Sequence, residues 1–438
     1  MLDIHFIREN ADLVKAGAAK KKANVDIDRL LAVDEERKSL RQQMDERKAE
    51  QNRMSTRIQL ASGEEKEKLI ESMRFVKEGF NELEEKFNAL TEEWTKLMLA
   101  VPNLPSPDTP EGPDESGNVM VREWGEKPQF SFTPKPHWDI GEALGIIDSQ
   151  KAAEVSGARF TYIKGDLALM QFALIDLVFK TLTSRETLEA IARAANLDID
   201  TKPFIPVVPP VMMRADVMGR MGRLHPIDDR YYFEKDDLIL IGSAEHTLGP
   251  LHMNETLDEA SLPIRYVGYS TSFRREAGAA GKDTRGILRL HQFDKLEMES
   301  FARPEDGYRE QDLFVAVQEH LMRALKIPYQ VISVCTGDMG MPVHRQYDIN
   351  SWMPGQDTYR ETHTSDYVGG FQARRLNTRV KGTDGTTSHV HMNDATAFAI
   401  GRTLIAIMEN YQQEDGTVRV PEALIPYVGK EVLGRTAG

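Results

Sequence analysis

The densest group of residues that could act on phosphates lies between positions 270 and 301. There, two strand-like runs flank a charged, glycine-bearing loop, which predicts a hairpin displaying Arg274, Glu276 and Phe293. Guanidinium groups bind phosphate and carboxylate oxygens bidentately, and an aromatic ring offers a flat stacking surface. Further along, Arg402 opens a helical run. A charged hairpin alone is more often a solvated turn, so these residues need a structural context before they define a site.

Other routes to nucleotide or metal chemistry find little support in the sequence. No glycine-rich loop of the G-x-x-x-x-G-K-[ST] or G-x-G-x-x-G type follows a strand-like run, so nucleotide binding would need another architecture. Cys335 is the only cysteine, which excludes disulfides and thiolate metal cages and fits a reducing compartment. His389 and His391 alternate on a predicted strand, so a zinc site is not expected there.

Two long helical segments precede these groups. Residues 28–100 contain no proline, and their apolar positions follow heptad spacing in two runs. The second run, Leu69 to Leu97, alternates steps of four and three, as in the seam of a coiled coil. LASGEEKEK separates the runs and predicts a turn, so we expect an antiparallel hairpin with helices about 48 Å long. Such a coiled coil could also serve as a dimerisation device or a spacer.

Charge is distributed unevenly along the chain. The net charge of −14 argues against a nucleic-acid partner, because whole-chain acidity repels phosphate. Residues 37–57, however, hold seven basic and three acidic side chains. This stretch is either a solvated helix face with internal ion pairs or a basic surface for a polyanion. The candidate contact residues are Arg37, Lys38, Arg41, Arg47, Lys48 and Arg53.

The rest of the chain predicts a second domain of the α+β class. Residues 103–120 combine prolines, glycines and acids, which predicts a linker between an arm at 1–102 and a domain at 121–438. In that domain, helical runs mix with short strand-like runs that lack regular crossover helices, which favours a mainly antiparallel sheet flanked by helices. The chain has no apolar run long enough for a membrane span and no signal peptide, so a cytoplasmic protein without membrane contact is expected.

The order of these elements resembles the class II aminoacyl-tRNA synthetases, and within them the seryl-tRNA synthetases of the bacterial type. MLDIHFIRENADLV and the helical hairpin resemble that family's tRNA-binding arm, and FIPVVPPVMM resembles motif 1, at about 166–212. The segment 268–301 is similar to motif 2, and GRTLIAIMENYQ, within 396–427, to motif 3. The resemblance covers nearly the whole chain. It implies a six- or seven-stranded antiparallel sheet, and a homodimer with Pro209 and Pro210 at the interface strand.

The resemblance also implies a reaction, in which the carboxylate of L-serine attacks the α-phosphorus of ATP and pyrophosphate leaves. Arg274 would bind the α-phosphate and the substrate carboxylate, Arg402 the γ-phosphate, and Glu361 would help to hold Mg²⁺; these three are the expected catalytic residues. Phe293 would stack on the adenine, and Glu276 would contact its amino group. The full ATP site implied is Arg274, Arg275, Glu276, Phe293, Glu361, Thr362, His363, Thr364 and Arg402.

A pocket for L-serine follows from the same resemblance. The residues implied are Ser243, Ala244, Glu245, Glu297 and Thr396. A pocket that hydrogen-bonds a hydroxyl rejects the analogue lacking it by about 10⁴-fold or more. The sequence departs from the family pattern at His363, Tyr367, Gly370 and Asp394. These departures are either coordinated substitutions within one lineage or signs of an altered substrate.

The implied second step transfers serine to the terminal adenosine of tRNA(Ser), with tRNA(Sec) as a further candidate acceptor. The arm would recognise the shape of the tRNA, and its basic residues would supply most of the affinity. Two alternatives stay open. One is a synthetase-like enzyme that loads a different small amino acid or a non-tRNA acceptor, which the complete arm disfavours. The other is an inactive RNA-binding paralogue, which is disfavoured by the intact set of Arg274, Glu276, Phe293, Glu361 and Arg402.

Overall fold

The computed structural model describes residues 1–276 and 285–434, and it divides into two compact units, Met1–Leu104 and Pro105–Gly438. The first unit is helical in its described residues. Its helices are α1 (Ile4–Glu9), α2 (Ala11–Lys20), α3 (Ile27–Leu60) and α4 (Gly63–Ala100).

Helices α3 and α4 form the antiparallel hairpin that the heptad pattern predicted. The Asp26 side chain accepts a hydrogen bond from the backbone N–H of Arg29 and so caps the start of α3. Gly63 begins α4 with a φ of 60°, which a side-chain-bearing residue rarely adopts. With 34 residues, α3 is about 51 Å long. The hairpin is therefore confirmed, and its seam buries Met44 and Val76.

The second unit combines helices with several sheets. Its described helices are α5 (His137–Leu144), α6 (Ser149–Ser156), α7 (Gly165–Thr183), α8 (Arg185–Ala194), α9 (Ala215–Met221), α10 (Glu245–Leu248), α11 (Gly307–Ala324), α12 (Gly370–Leu376), α13 (Ile400–Asn410) and α14 (Ile425–Val428). Its described strands are β1 (Val119–Trp124), β2 (Ile147–Asp148), β3 (Tyr162–Ile163), β4 (Ile205–Val207), β5 (Met212–Arg214), β6 (Tyr232–Phe233), β7 (Leu238–Leu240), β8 (Thr256–Asp258), β9 (Ile264–Phe273), β10 (Gln292–Ala302), β11 (Tyr329–Ser333), β12 (Arg345–Met353), β13 (Thr358–Gly369), β14 (Arg379–Lys381), β15 (Thr387–His389), β16 (His391–Ala399), β17 (Val418–Arg419) and β18 (Val432–Leu433).

The largest sheet has eight described strands in the order β1-β11-β12-β13-β16-β10-β9-β4. All neighbours are antiparallel except β4 and β9, so the predicted α+β class with a mainly antiparallel sheet is confirmed. The expectation of six or seven strands is wrong, because the sheet has eight described strands. The two strands at its edges have weak sequence signals. At one edge, β1 starts inside the predicted linker; at the other, β4 has only three residues, and the middle one is Pro206.

The segment predicted as a linker packs against the second unit. Backbone N–H groups of Thr336 and Gly337 donate to the carbonyls of Pro110 and Gly112, at 2.9 and 3.0 Å. A Cβ on Gly112 would lie 2.9 Å from the sulfur of Cys335, so the close approach requires glycine. Backbone hydrogen bonds to a neighbouring loop hold this proline- and glycine-rich segment in place, although it has no side-chain core of its own.

The core lies on one face of the large sheet. Leu296 and Met298 of β10 pack there with Phe314 of α11 and Leu404 of α13, and all four side chains are fully buried. The opposite face carries polar residues and a second, smaller buried apolar cluster that includes Tyr266, Phe301 and Met392. Among the described residues, no single helix has the length and apolar character that a membrane span needs, although α7 and α8, bent by 81°, pass a test of length and composition together.

Candidate active site

A polar cavity lies on the sheet face opposite the core. Side chains alternate along a strand, so β10 directs Phe293, Lys295 and Glu297 to the cavity while Leu296 and Met298 enter the core. Many of the residues predicted from sequence line this one cavity. They are Glu245, Arg274, Glu276, Phe293, Glu297, Glu361, Thr362, Thr364, Thr396 and Arg402.

One end of the cavity is rich in guanidinium groups. Arg274 follows β9, its Nε donates to the carbonyl of Gly242 at 3.2 Å, and its guanidinium carbon lies 5.3 Å from the centre of the Phe293 ring. Arg402, in the first turn of α13, donates to the carboxylate of Glu361 at 2.8 Å. Glu276 accepts from Arg289 at 3.1 Å. This end can therefore bind an anion and an aromatic ring side by side.

Glu361 keeps its negative charge in this setting. Its side chain is half exposed, and the cost of partial desolvation is outweighed by the charges of Arg402 and Arg274, which hold the pKa of its carboxyl group below its usual value. The Thr364 hydroxyl is 3.5 Å from Glu361 Oε1. An ionised carboxylate beside a hydroxyl is a suitable donor set for a hard divalent cation.

The other end of the cavity is built around Glu297. Ser243 donates its hydroxyl proton to Glu297 Oε2 at 2.7 Å, and Lys295 Nζ lies 2.5 Å from the same oxygen. Burial raises the pKa of Glu297 against the opposing charge of Lys295. Thr396 is the cross-strand partner of Glu297 on β16. A carboxylate and a hydroxyl thus face one small polar space, which suits a ligand with an ammonium and a hydroxyl group.

Three carboxylates surround Arg223 deeper in the same cavity. Arg223 Nε is 3.3 Å from Glu245, and its Nη2 is 3.3 Å from Asp366 and 3.7 Å from Asp394. Burial would raise the pKa of Glu245, but Arg223 and a hydrogen bond with His246 hold it well below its usual value. Burial raises the pKa of Asp366 to about 6 despite Arg223.

Sequence reasoning missed several residues at this deeper end. Arg223 lies in a loop after α9, where no local pattern marks it, and Asp366 directly precedes Tyr367 in β13 without a motif of its own. Lys295 could have been found, because it shares the period-two face of β10 with Glu297. Asp394 was recognised only as a departure from the family pattern.

Some of the predicted residues do not line the cavity, and His363 is one of them. The pairing of β12 with β13 shifts between Ile349 and Asn350, so Thr362 is an extra residue and His363 turns to the core side. There His363 is 1% exposed, its ring centre is 5.7 Å from that of Phe398, and burial lowers its pKa to about 3. In that position the ring packs in the core and does not line the cavity, and the expected contact of His363 with ATP stays a prediction.

Arg275 and Ala244 also lie outside the cavity. The Arg275 guanidinium carbon is 5.5 Å from the centre of the Tyr231 ring, on a separate surface depression. Ala244 is fully buried, and a Cβ added at Gly268 would lie 3.2 Å from its methyl group. Ser243 does not line the cavity itself and acts on it through Glu297.

Tyr367 and Gly370, two departures from the family pattern, lie away from the amino-acid end. The Tyr367 hydroxyl is 2.6 Å from His391 Nδ1. A Cβ on Gly307 would lie 2.5 Å from the Tyr367 ring, and a Cβ on Gly370 would lie 3.6 Å from His391. The Tyr367 ring therefore requires glycine at position 307, whereas the space beside Gly370 would admit a Cβ.

On the first unit, the predicted basic residues of α3 differ in their surroundings. The Arg37 guanidinium carbon lies 4.4 Å from the centre of the Trp94 ring, so this residue packs in the hairpin seam. Arg41 and Arg47 form ion pairs along the helix with Asp45 and Glu50, at 3.5 and 3.3 Å.

The other predicted basic residues of α3 are exposed to solvent. Lys38 pairs with Glu35 at 3.3 Å, Lys48 lies 5.9 Å from the centre of the Phe80 ring, and Arg53 is exposed. The basic face is therefore partly neutralised within the helix.

Comparison with known proteins identifies both units. The Seryl-tRNA synthetase N-terminal domain matches residues 1–105, and the tRNA synthetase class II core domain (G, H, P, S and T) matches residues 231–411. The serine–tRNA ligase of Symbiobacterium thermophilum is 40% identical over 438 residues, covering 99% of this chain and 100% of that protein. The serine–tRNA ligase of Bacillus subtilis is 38% identical over 439 residues, with coverage of 99% and 100%.

A solved structure agrees with these relatives. The seryl-tRNA synthetase of Pyrococcus horikoshii, complexed with ATP, matches with a TM-score of 0.87 and 35% sequence identity, and the match covers 100% of both chains. The activity of this chain is thus that of an aminoacyl-tRNA ligase with serine as its amino acid. With a helical hairpin, an antiparallel sheet and full-length relatives all in agreement, the chain belongs to the seryl-tRNA synthetase family.

Proposed function

We propose that the cavity joins serine to ATP by direct attack of the serine carboxylate on the α-phosphorus, with pyrophosphate as the leaving group. The carboxylate is ionised at neutral pH, so no general base is needed. The protein must align two anions and stabilise the charge that develops on the phosphates. The observation that carries the proposal is the convergence of Arg274, Glu361 and Arg402 on one cavity whose other end holds Glu297 and Thr396.

At the nucleotide end, Arg274 binds the α-phosphate and the serine carboxylate, and Arg402 binds the γ-phosphate. Phe293 stacks on the adenine, and Glu276 accepts a hydrogen bond from its amino group. The proximity of the Arg274 guanidinium to the Phe293 ring supports this arrangement, because both side chains can contact one nucleotide.

Glu361 and Thr364 are the proposed protein ligands of Mg²⁺. Their oxygens suit this ion, and the lowered pKa of Glu361 keeps a negative charge available. When bound, Mg²⁺ neutralises phosphate charge and so assists the departure of pyrophosphate.

At the amino-acid end, Glu297 accepts a hydrogen bond from the serine ammonium or hydroxyl, and Thr396 contacts the hydroxyl. Ser243 positions Glu297 through the 2.7 Å hydrogen bond. Glu245 completes the wall of the pocket, where its ion pair with Arg223 fixes it.

The helical arm is proposed to bind the tRNA that accepts serine, with tRNA(Ser) as the main acceptor and tRNA(Sec) as a further candidate. Exposed cations on α3 support this, because phosphate contacts supply much of the affinity for nucleic acids. The protein is proposed to work in the cytoplasm.

A homodimer is proposed from an apolar surface beside edge strand β4. Leu169 and Phe172 of α7 are 49% and 61% exposed, and Ile205 and Val208 are 48% and 82% exposed. Apolar side chains grouped in this way mark protein interfaces, and the partner of a two-fold dimer would present the same surface.

The test is ATP–pyrophosphate exchange measured with each of the twenty amino acids. We expect exchange with serine alone. A variant carrying Arg41→Glu, Arg47→Glu and Arg53→Glu should retain exchange and lose tRNA charging, because these side chains lie on the arm. Exchange with a different amino acid would overturn the pocket assignment, and loss of exchange in the arm variant would overturn the separation of the two steps.

A further inference from the structure

Three carboxylates form a row across neighbouring strands at the deep end of the cavity. Glu299 on β10 is the direct cross-strand partner of Asp394 on β16, and Asp394 is the direct partner of Asp366 on β13. All three are buried, with exposures of 1%, 5% and 5%. Like charges directly opposite each other destabilise a sheet, so this row needs either protons or a cation.

Arg223 is the cation that the structure places against the row. Its Nη2 is 3.3 Å from Asp366 and 3.7 Å from Asp394, and its side chain is only 18% exposed. Its backbone is fixed as well, since the Arg230 guanidinium donates to the Arg223 carbonyl at 3.2 and 3.0 Å. The Arg223 guanidinium is thus close to the carboxylates of Asp366 and Asp394, and the Arg223 backbone is anchored by Arg230.

The row is not fully neutralised by Arg223. Oδ1 of Asp366 and Oε1 of Glu299 are buried and have no hydrogen-bond partner among the described residues. Burial and the charge of Glu245 raise the pKa of both Asp394 and Glu299 well above the usual value. Burial and the neighbouring carboxylates thus oppose ionisation of the row, and a positively charged group at the deep end would be favoured because it lets these carboxyl groups release their protons.

The order of side chains along β10 places this row beyond the serine site. Phe293, Glu297 and Glu299 follow one another on one strand face, at a rise of about 3.3 Å per residue. The nucleotide, the amino acid and the carboxylate row should therefore succeed each other from the mouth of the cavity to its end. Any extension or charge on the substrate side chain would meet Arg223 and its carboxylates.

We propose that Arg223 determines substrate specificity, by capping the carboxylate row so that the pocket accepts a hydroxyl and rejects a side chain with an ammonium group. This inference rests on the proposed placement of serine at Glu297 and Thr396. The carboxylate oxygens of Glu245, Glu297 and Asp394 lie within 4.8 Å of one another, as in a metal site, but Lys295 and Arg223 already supply positive charge there. A cationic side chain of the protein, rather than a metal ion, closes the pocket.

The test compares L-serine with L-2,3-diaminopropionate, which replaces the hydroxyl by an ammonium group. The measured quantities are the KM of serine in pyrophosphate exchange and the inhibition constant of diaminopropionate, both at pH 8. In Arg223→Met the ratio of the two should shift toward diaminopropionate by on the order of tenfold or more, because the row loses its cation. In the double variant Asp366→Asn and Asp394→Asn the ratio should shift the opposite way.

Arg220→Met is the matched control, because Arg220 is an exposed residue of α9 that pairs with Asp216 at 3.7 Å. Its ratio should equal that of the unsubstituted protein. An unchanged ratio in Arg223→Met, with both constants altered equally, would show that Arg223 only supports the fold and would overturn the inference. If Arg223→Met does not fold, an unchanged ratio in the double asparagine variant overturns it instead. Absence of serine-dependent exchange in the unsubstituted protein would refute the proposed serine site, a distinct outcome.

Discussion

The two ends of the cavity differ in how their residues are brought together. At the nucleotide end, Arg274, Glu276 and Phe293 come from one hairpin, so their spacing in the sequence already fixes their proximity. At the amino-acid end, Arg223 comes from a loop, and Asp366 and Asp394 come from strands β13 and β16. Three residues of the nucleotide end are thus encoded in one local segment, which Glu361 and Arg402 join by folding. The carboxylates around Arg223, in contrast, meet only through tertiary packing.

The largest effect should come from the nucleotide end. Arg402→Ala should lower kcat for pyrophosphate exchange by about 10²- to 10³-fold, because the charge that develops on the phosphates loses a fixed guanidinium. Steady-state exchange kinetics check this. Arg220→Ala, which removes an exposed guanidinium outside the cavity, should leave kcat within about twofold. Equal losses in the two variants would contradict the role of Arg402.

The amino-acid end should respond in a different kinetic constant. Glu297→Ala should raise the KM of serine by about 10- to 100-fold, because a buried hydrogen-bond partner of the substrate is lost. The KM of ATP should change little, since Glu297 is remote from Phe293 and Arg402 along the cavity. A parallel rise in both constants would show that the two ends do not bind separate substrates.

Asp366 should make the folded protein more stable as the pH falls, the opposite of what a carboxylate in an ion pair usually does. Its pKa is raised to about 6 in the folded protein, above the usual 3.8, so the folded state binds the proton more tightly than the unfolded state. Stability therefore rises as pH falls through 6. Between pH 7 and pH 4.5, the unsubstituted protein should gain about 2 kcal/mol relative to Asp366→Asn. Urea unfolding at both pH values checks this, and a relative loss on acidification would contradict the assignment.

The smallest effect should come from Tyr367, which departs from the family pattern but lies away from the amino-acid end. Tyr367→Phe removes the hydrogen bond to His391 and should cost about 1 kcal/mol of stability, measured by urea unfolding. The KM of serine should be unchanged. A change in the KM of more than about threefold would show that Tyr367 acts on the amino-acid end after all.

Much of the fold could be predicted because its signals are periodic and long. The heptad spacing from Leu69 to Leu97 specified the hairpin, and the mixture of helical and strand-like runs specified the α+β class. Edge strand β1 was missed because it starts inside the segment predicted as a linker. Edge strand β4 lies within FIPVVPPVMM, the segment whose resemblance to motif 1 implied an interface strand. The segment before β1 was read as a linker, because composition cannot show the backbone hydrogen bonds that fix it.

The site residues could be predicted where they belong to one continuous motif. They could not be predicted where only the folded backbone decides which way a side chain points or which distant residues it meets. A single extra residue at Thr362 turns His363 into the core, although the neighbouring Glu361 and Thr364 reach the cavity. No sequence pattern announces such a bulge. Arg223 was missed for a related reason: two of its three carboxylate partners, Asp366 and Asp394, are more than a hundred residues away, and only the paired register of β13 and β16 brings these two together.

The most direct test of the two-ended cavity is a crystal structure with a non-hydrolysable seryl-adenylate analogue. The adenine should stack on Phe293, the linkage that mimics the phosphate should contact Arg274, and the serine hydroxyl should lie against Thr396 and Glu297. An analogue bound with its serine side chain directed away from these two residues would contradict the account.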